Sequence, residues 1–158
     1  MQAFHSNWTR PFFIRNPHME YRIEPFELLT TALSALEWRR ENGSIRMICD
    51  TPAKRYYESH GLCFLWDDGV YPLLDTMPED INATAFWAAG KLYALSAVPS
   101  PCVMLDTDFI CWKSISNLLD GPDTAAIHRE DIMPSIYPDQ TAFAKTEGFP
   151  LDSFDWTV

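Results

Sequence analysis

Apolar residues fall in short runs separated by polar turns, and several runs have the length of a strand. Ile45-Arg46-Met47-Ile48-Cys49 is one, Leu62-Cys63-Phe64-Leu65-Trp66 a second and Cys102-Val103-Met104-Leu105 a third. Each is bounded by turn-forming residues, which predicts buried strands. Gln2 to Phe13 is aromatic and mixed, predicting a strand that runs into an irregular loop, and Arg15-Asn16-Pro17-His18 predicts a turn. Ala125-Ala126-Ile127-His128 is a candidate fifth strand.

Between these runs the period changes. Leu29, Ala32, Leu33 and Leu36 recur at i, i+3, i+4 and i+7, one face of a helix. Pro25 opens that helix, Glu24 and Glu27 suit its N-terminal end, and Asn42-Gly43 stops it. Asp50-Thr51-Pro52 predicts a helix start with Thr51 as N-cap and Pro52 in the first turn, running over Lys54 to Ser59 and stopping near Gly61. Asn82 is placed to cap a helix from Ala83 to Ala97, with Phe86, Ala89, Gly90, Tyr93 and Ala97 along one face. The small residues Ala88, Ala89 and Gly90 invite close packing there. Ser114 to Leu119 predicts one more short helix. Strands alternating with helices imply parallel pairing, an α/β sheet with helices on its faces. The expectation is one domain over residues 1–158.

Composition narrows the function classes. The chain has 158 residues, 47% hydrophobic and 22% charged, which reads as globular. No apolar run approaches the roughly 20 residues that span a bilayer. The N-terminus lacks the blocks of a signal peptide, so a cytoplasmic location is expected. The net charge of −10 repels nucleic acid and anionic membranes. Cys49, Cys63, Cys102 and Cys111 form no C-x-x-C pair and read as free thiols. No G-x-G-x-x-G, P-loop, G-x-S-x-G or H-E-x-x-H is present.

The candidate chemistry lies at strand ends. Open α/β sheets bind ligands outside the carboxyl ends of their strands. His5 to Trp8, Asp50, Asp67-Asp68 and Asp106-Thr107-Asp108 are all expected at such ends. Asp106 and Asp108 follow the run Val103-Met104-Leu105 and form the one D-x-D of the chain, a spacing that 13 Asp would supply about once by chance. Two carboxylates there can hold Mg²⁺ or Mn²⁺, whose remaining ligands are waters and substrate phosphates. Trp8 is a candidate stacking surface for a base. Asp50 is either a ligand contact or helix-start chemistry. Asp67-Asp68-Gly69 reads first as a turn, and His128-Arg129-Glu130-Asp131 as a charged loop near the cleft, with Glu130 and Asp131 its most testable members.

The stretch Phe86-Trp87-Ala88-Ala89-Gly90-Lys91-Leu92-Tyr93, followed by Val103-Met104-Leu105-Asp106-Thr107-Asp108, resembles the centre of GT-A-fold glycosyltransferases. There a helix bearing a basic residue precedes a hydrophobic strand ending in D-x-D. The motif likeness covers about 30 residues, and the likeness in architecture residues 1–130. The resemblance implies a Rossmann-like three-layer sandwich with a mostly parallel sheet of order 3-2-1-4. It implies a nucleotide-diphospho-sugar donor held through Mn²⁺ or Mg²⁺ by Asp106 and Asp108, with Lys91 at the diphosphate; Asp50 and Trp8, from their strand-end positions, are the further donor contacts expected. The reaction implied is glycosyl transfer to an acceptor whose identity, like the catalytic base, the sequence does not name. GT-A enzymes usually run longer, so the expected domain is a donor-binding half truncated at its C-terminus, open to homo-oligomerisation. The alternative is a catalytically incomplete nucleotide-sugar-binding or interaction domain. A metal-dependent phosphohydrolase is a third class, with only Lys113 near its required position.

Overall fold

The computed structural model describes residues 2–119, together with 124–126, 141, 144, 145 and 148. The chain divides into two units, 1–120 and 121–158, and the elements below all belong to the first.

Strand β1 (Gln2–Asn7) is followed at once by the short helix α1 (Arg10–Arg15), where an irregular loop was expected. Pro11 in the first turn explains the helix, because its fixed φ is helical and it needs no donor there. Helix α2 (Pro25–Glu41) starts behind Glu24 and ends at Asn42, with Gly43 at φ 110° carrying the turn into β2 (Ile45–Cys49). Helix α3 (Thr51–Ser59) is capped by Asp50, whose side chain accepts from the Ala53 N–H, one residue before the Thr51 cap expected. It ends as a Schellman motif: the Leu62 N–H meets the Tyr57 carbonyl at 2.8 Å, the Gly61 N–H meets Glu58 at 3.1 Å, and Gly61 has φ 66°.

That motif decides the fate of Leu62 to Trp66, expected as a strand. The Leu65 and Trp66 N–H groups bond back to Leu62 and Cys63, closing a 3₁₀ turn over Cys63–Leu65. Leu65 and Trp66 plug the core without extending. A short apolar run serves either purpose, and only neighbours choose. The third strand, β3, is Val70–Tyr71, after the Asp67-Asp68-Gly69 turn. A second 3₁₀ turn spans Leu73–Thr76. Helix α4 covers Ala89–Ala97, shorter than the expected Ala83–Ala97. Asn82 does cap, its Oδ1 accepting from Thr84 and Ala85 N–H, but the turn it caps closes on itself through Phe86 N–H to the Asn82 carbonyl. Strand β4 (Cys102–Leu105) and helix α5 (Ser116–Leu119) follow. Ala125 and Ala126 lie outside any strand, and the rest of the expected fifth strand lies outside the described residues.

The four strands form one sheet of order β3-β2-β1-β4, and all three pairings are parallel. The fold is therefore the Rossmann-like α/β sheet of order 3-2-1-4. Alternation sorts its side chains. Ala3, Ile45, Met47, Cys49 and Leu105 pack with Ala35 and Trp38 of α2 and Ala53 and Tyr57 of α3. Phe4 and Ile48 pack the other way, against Leu74, Met77, Ala94 and Val98. Helix α2 buries Thr31, Ser34, Ala35 and Trp38, not the expected Leu29 stripe: Leu29 is 63% exposed and Leu36 43%. All four cysteines are free thiols. No helix among the described residues is long and apolar enough to cross a membrane.

Candidate functional site at the carboxyl edge of the sheet

Strands β1, β2 and β4 end on the same edge, because they run parallel and in register. Trp8 and Thr9 follow β1, Asp50 and Thr51 follow β2, and Asp106 follows β4.

Asp106 opens a tight turn closed by the Phe109 N–H on its carbonyl at 3.0 Å. A buried relay pins that turn. The Trp66 ring N–H lies 3.1 Å from His5 Nδ1, His5 Nε2 lies 3.0 Å from Ser34 Oγ, and Ser34 Oγ donates to the Phe109 carbonyl at 2.5 Å. Since Ser34 spends its proton on Phe109 and Trp66 can only donate, His5 is the neutral tautomer protonated at Nε2. Burial pushes its pKa down to about 4, against a smaller upward pull from Asp106. His5, expected at the ligand end of its strand, instead holds up the floor beneath the acidic motif.

Lys91 and Asp106, paired in sequence only by resemblance, meet in space. Lys91 Nζ lies 2.5 Å from Asp106 Oδ1 and 5.7 Å from the centre of the Trp87 ring. Their side chains are 32% and 51% exposed, so solvent screens the pair and it contributes about 1 kcal/mol or less. Trp8 adjoins them through Gly90, the residue before Lys91 in α4. A Cβ added at Gly90 would meet Trp8 Cβ at 2.6 Å, so only glycine lets the helix approach β1 this closely. Arg10 stacks 5.1 Å from the Trp8 ring. Ser6 follows His5, the partner of Leu105, and so stands beside Asp106 at the edge; its Oγ is buried without a protein partner.

Asp108 is exposed, and its charge is felt by Glu27 of α2. Burial raises the pKa of Glu27, and the Asp108 charge raises it further. The strand ends at Leu105, so the two-residue period no longer aligns Asp106 with Asp108. Among the described residues, no three His, Cys, Asp or Glu side chains group to hold a metal ion. The chain offers Asp106, Asp108 and the orphan Ser6 hydroxyl, all oxygen donors. That chemistry fits Mg²⁺ or Mn²⁺ bound by few protein ligands, with phosphates and water completing the shell.

Asp50 serves as a clasp. Its Oδ2 accepts from the Thr9 N–H and hydroxyl, both at 2.7 Å, and its Oδ1 from Ala53 N–H at 3.2 Å. Burial raises its pKa while the Thr9 bonds pull it down. Asp75 repeats the device on Thr51. Asn7 donates to the Tyr21 hydroxyl at 2.8 Å and also to Tyr57. Asp67 and Asp68 lie at the opposite edge, contrary to expectation. Asp67 accepts from Ile45 N–H at the start of β2, and Asp68 pairs with Arg46 at 2.5 Å. They precede the true third strand instead of following it. His128, Arg129, Glu130 and Asp131 lie outside the described residues.

Sequence reasoning missed Ser34, Trp66, Thr9 and Asp75, which position the edge. Ser34 carried one signal, a polar residue four before Trp38 and so one turn away on the same face of the helix. Comparison with protein-family models, with curated proteins and with solved structures returned no match.

Proposed function

We propose that the carboxyl edge binds a nucleotide-diphospho-sugar donor, and that the protein is a metal-dependent glycosyltransferase or its donor-binding part. The observation that carries this reading is the meeting of Lys91 with Asp106 at the end of β4. A cation and an anion site for a diphosphate are thereby adjacent, on a parallel sheet of order 3-2-1-4. Asp106 and Asp108 would hold Mn²⁺ or Mg²⁺, which supplies charge neutralisation for the diphosphate leaving group. Lys91 would hold a phosphate oxygen, one of few cations on an acidic surface. Trp8, partly buried between Arg10 and Gly90, borders the same edge of the sheet. Asp50 supports the loops that frame it and contributes shape more than contact.

Calorimetric titration with a panel of nucleotide sugars, with and without Mn²⁺, tests the reading. Metal-dependent binding is expected, and Asp106→Asn should weaken it by about tenfold or more. Indifference of the wild type to every donor in the presence of Mn²⁺ would overturn it. Transfer or donor hydrolysis, measured on the same samples, separates an enzyme from a binding domain.

A further inference from the structure

The Lys91–Asp106 contact has a consequence for how the donor site selects its ligand, and it rests on the donor-site reading above. The same Asp106 oxygen that a divalent cation would use is engaged by an ammonium at 2.5 Å. An ammonium and a divalent cation on one carboxylate repel each other strongly at that range. Either the cation stays out or Lys91 leaves. Lys91 can leave, because it is partly exposed, its stem is long and flexible, and its contacts are one carboxylate and the face of Trp87.

We propose that Lys91 competes with the divalent cation for Asp106 and is released by the diphosphate that accompanies the cation. Free cation must displace Lys91 into solvent and so binds weakly. A cation–diphosphate complex brings an anion that receives the ammonium, so the cost of leaving Asp106 is offset within the site. The two ligands are thereby coupled: each raises the affinity for the other, by thermodynamic necessity to the same degree. Lys91 is then a specificity-determining residue, selecting metal–diphosphate over the far simpler competitor, bare metal.

The neighbours support an exchange and not a fixed ion pair. Lys91 lies on the turn of α4 that Gly90 anchors against Trp8, so its backbone is held and an exchange need move only its partly exposed side chain. The Trp87 face offers a second resting place for the ammonium beside Asp106.

The test uses the full chain and two probes, Mn²⁺ alone and the preformed 1:1 Mn²⁺–pyrophosphate complex, with affinities read by electron paramagnetic resonance and calorimetry. In the wild type the complex should bind more tightly than bare Mn²⁺. In Lys91→Met and Lys91→Gln, bare Mn²⁺ should bind about fivefold more tightly and the complex more weakly, so that the ratio of the two affinities falls by about tenfold. Lys91→Arg should retain the wild-type ratio. If the wild type binds both probes but the Met and Gln variants keep its ratio, the exchange is overturned and the donor site stands. If the wild type binds neither probe, the donor site falls and the exchange with it.

Discussion

His5 is the residue whose environment departs furthest from its sequence setting. It is fully buried, neutral and bonded at both ring nitrogens. Its pKa is about 4 in the fold and near 6.5 in the unfolded chain, so between those values the unfolded state binds the extra proton. Stability therefore falls as pH drops through that window, by roughly 3 kcal/mol in all from this group. Asp50 and Glu27 act in the opposite sense, since burial raises their pKa and acid relieves a buried charge. Comparing urea unfolding of wild type and His5→Gln at pH 7 and pH 4.5 isolates the histidine. The wild type should lose more stability than the variant on acidification; parallel losses would remove His5 as the cause. Gly90 is the second decisive residue. Trp8 Cβ is fixed by its backbone and cannot rotate away from an alanine methyl 2.6 Å distant. Gly90→Ala should cost about 1–3 kcal/mol despite its better helix propensity, read as a lower urea midpoint. An unchanged midpoint would mean that α4 moves off β1 at little cost.

At the scale of elements, α2 shows how a correct period can carry the wrong face. Both Leu29-Ala32-Leu33-Leu36 and Thr31-Ser34-Ala35-Trp38 fit a helical stripe, and hydropathy favours the first. The sheet takes the second, because Ala35 lets the helix approach, Trp38 fills the space beyond and Ser34 is needed by His5. Leu29→Ser should therefore change stability by no more than about 0.5 kcal/mol, whereas Ala35→Leu should cost about 1–3 kcal/mol through overpacking. Thermal unfolding of the two variants decides, and a larger loss for Leu29→Ser would reverse the assignment of faces. The 3₁₀ turn of Cys63–Leu65 teaches a similar lesson. Its apolar run was visible, but Gly61 ends α3 in a way that turns the chain inward before a strand can form.

For the whole first unit, β1 is the organising strand. It pairs on both sides and is buried on both faces at Ala3, Phe4 and His5, while β3 has two residues at an edge. Hydrogen exchange should therefore be slowest at the β1 amides and fastest, among strands, at Val70 and Tyr71. Comparable protection of β3 would mean that the edge is covered by more than the described contacts. The parallel sheet also explains why the site gathers where it does. Trp8, Asp50 and Asp106 come from distant parts of the sequence, and parallel pairing alone brings their strand ends to one edge.

Lys91 entered only through the resemblance to GT-A-fold enzymes, but the alternation of short apolar runs with helical stretches was enough to determine the α/β class, and the D-x-D after a buried strand was enough to single out Asp106. Those features are local: period, spacing and turn chemistry. The tertiary structure decided everything that depends on which neighbour wins. It chose the polar stripe of α2, moved the third strand to Val70–Tyr71, and sent Asp67 and Asp68 to the far edge. It also turned His5 and Asp50 into supports, since a buried imidazole or carboxylate must spend its bonds on whatever partners the packed core presents, and no local pattern encodes who those partners are.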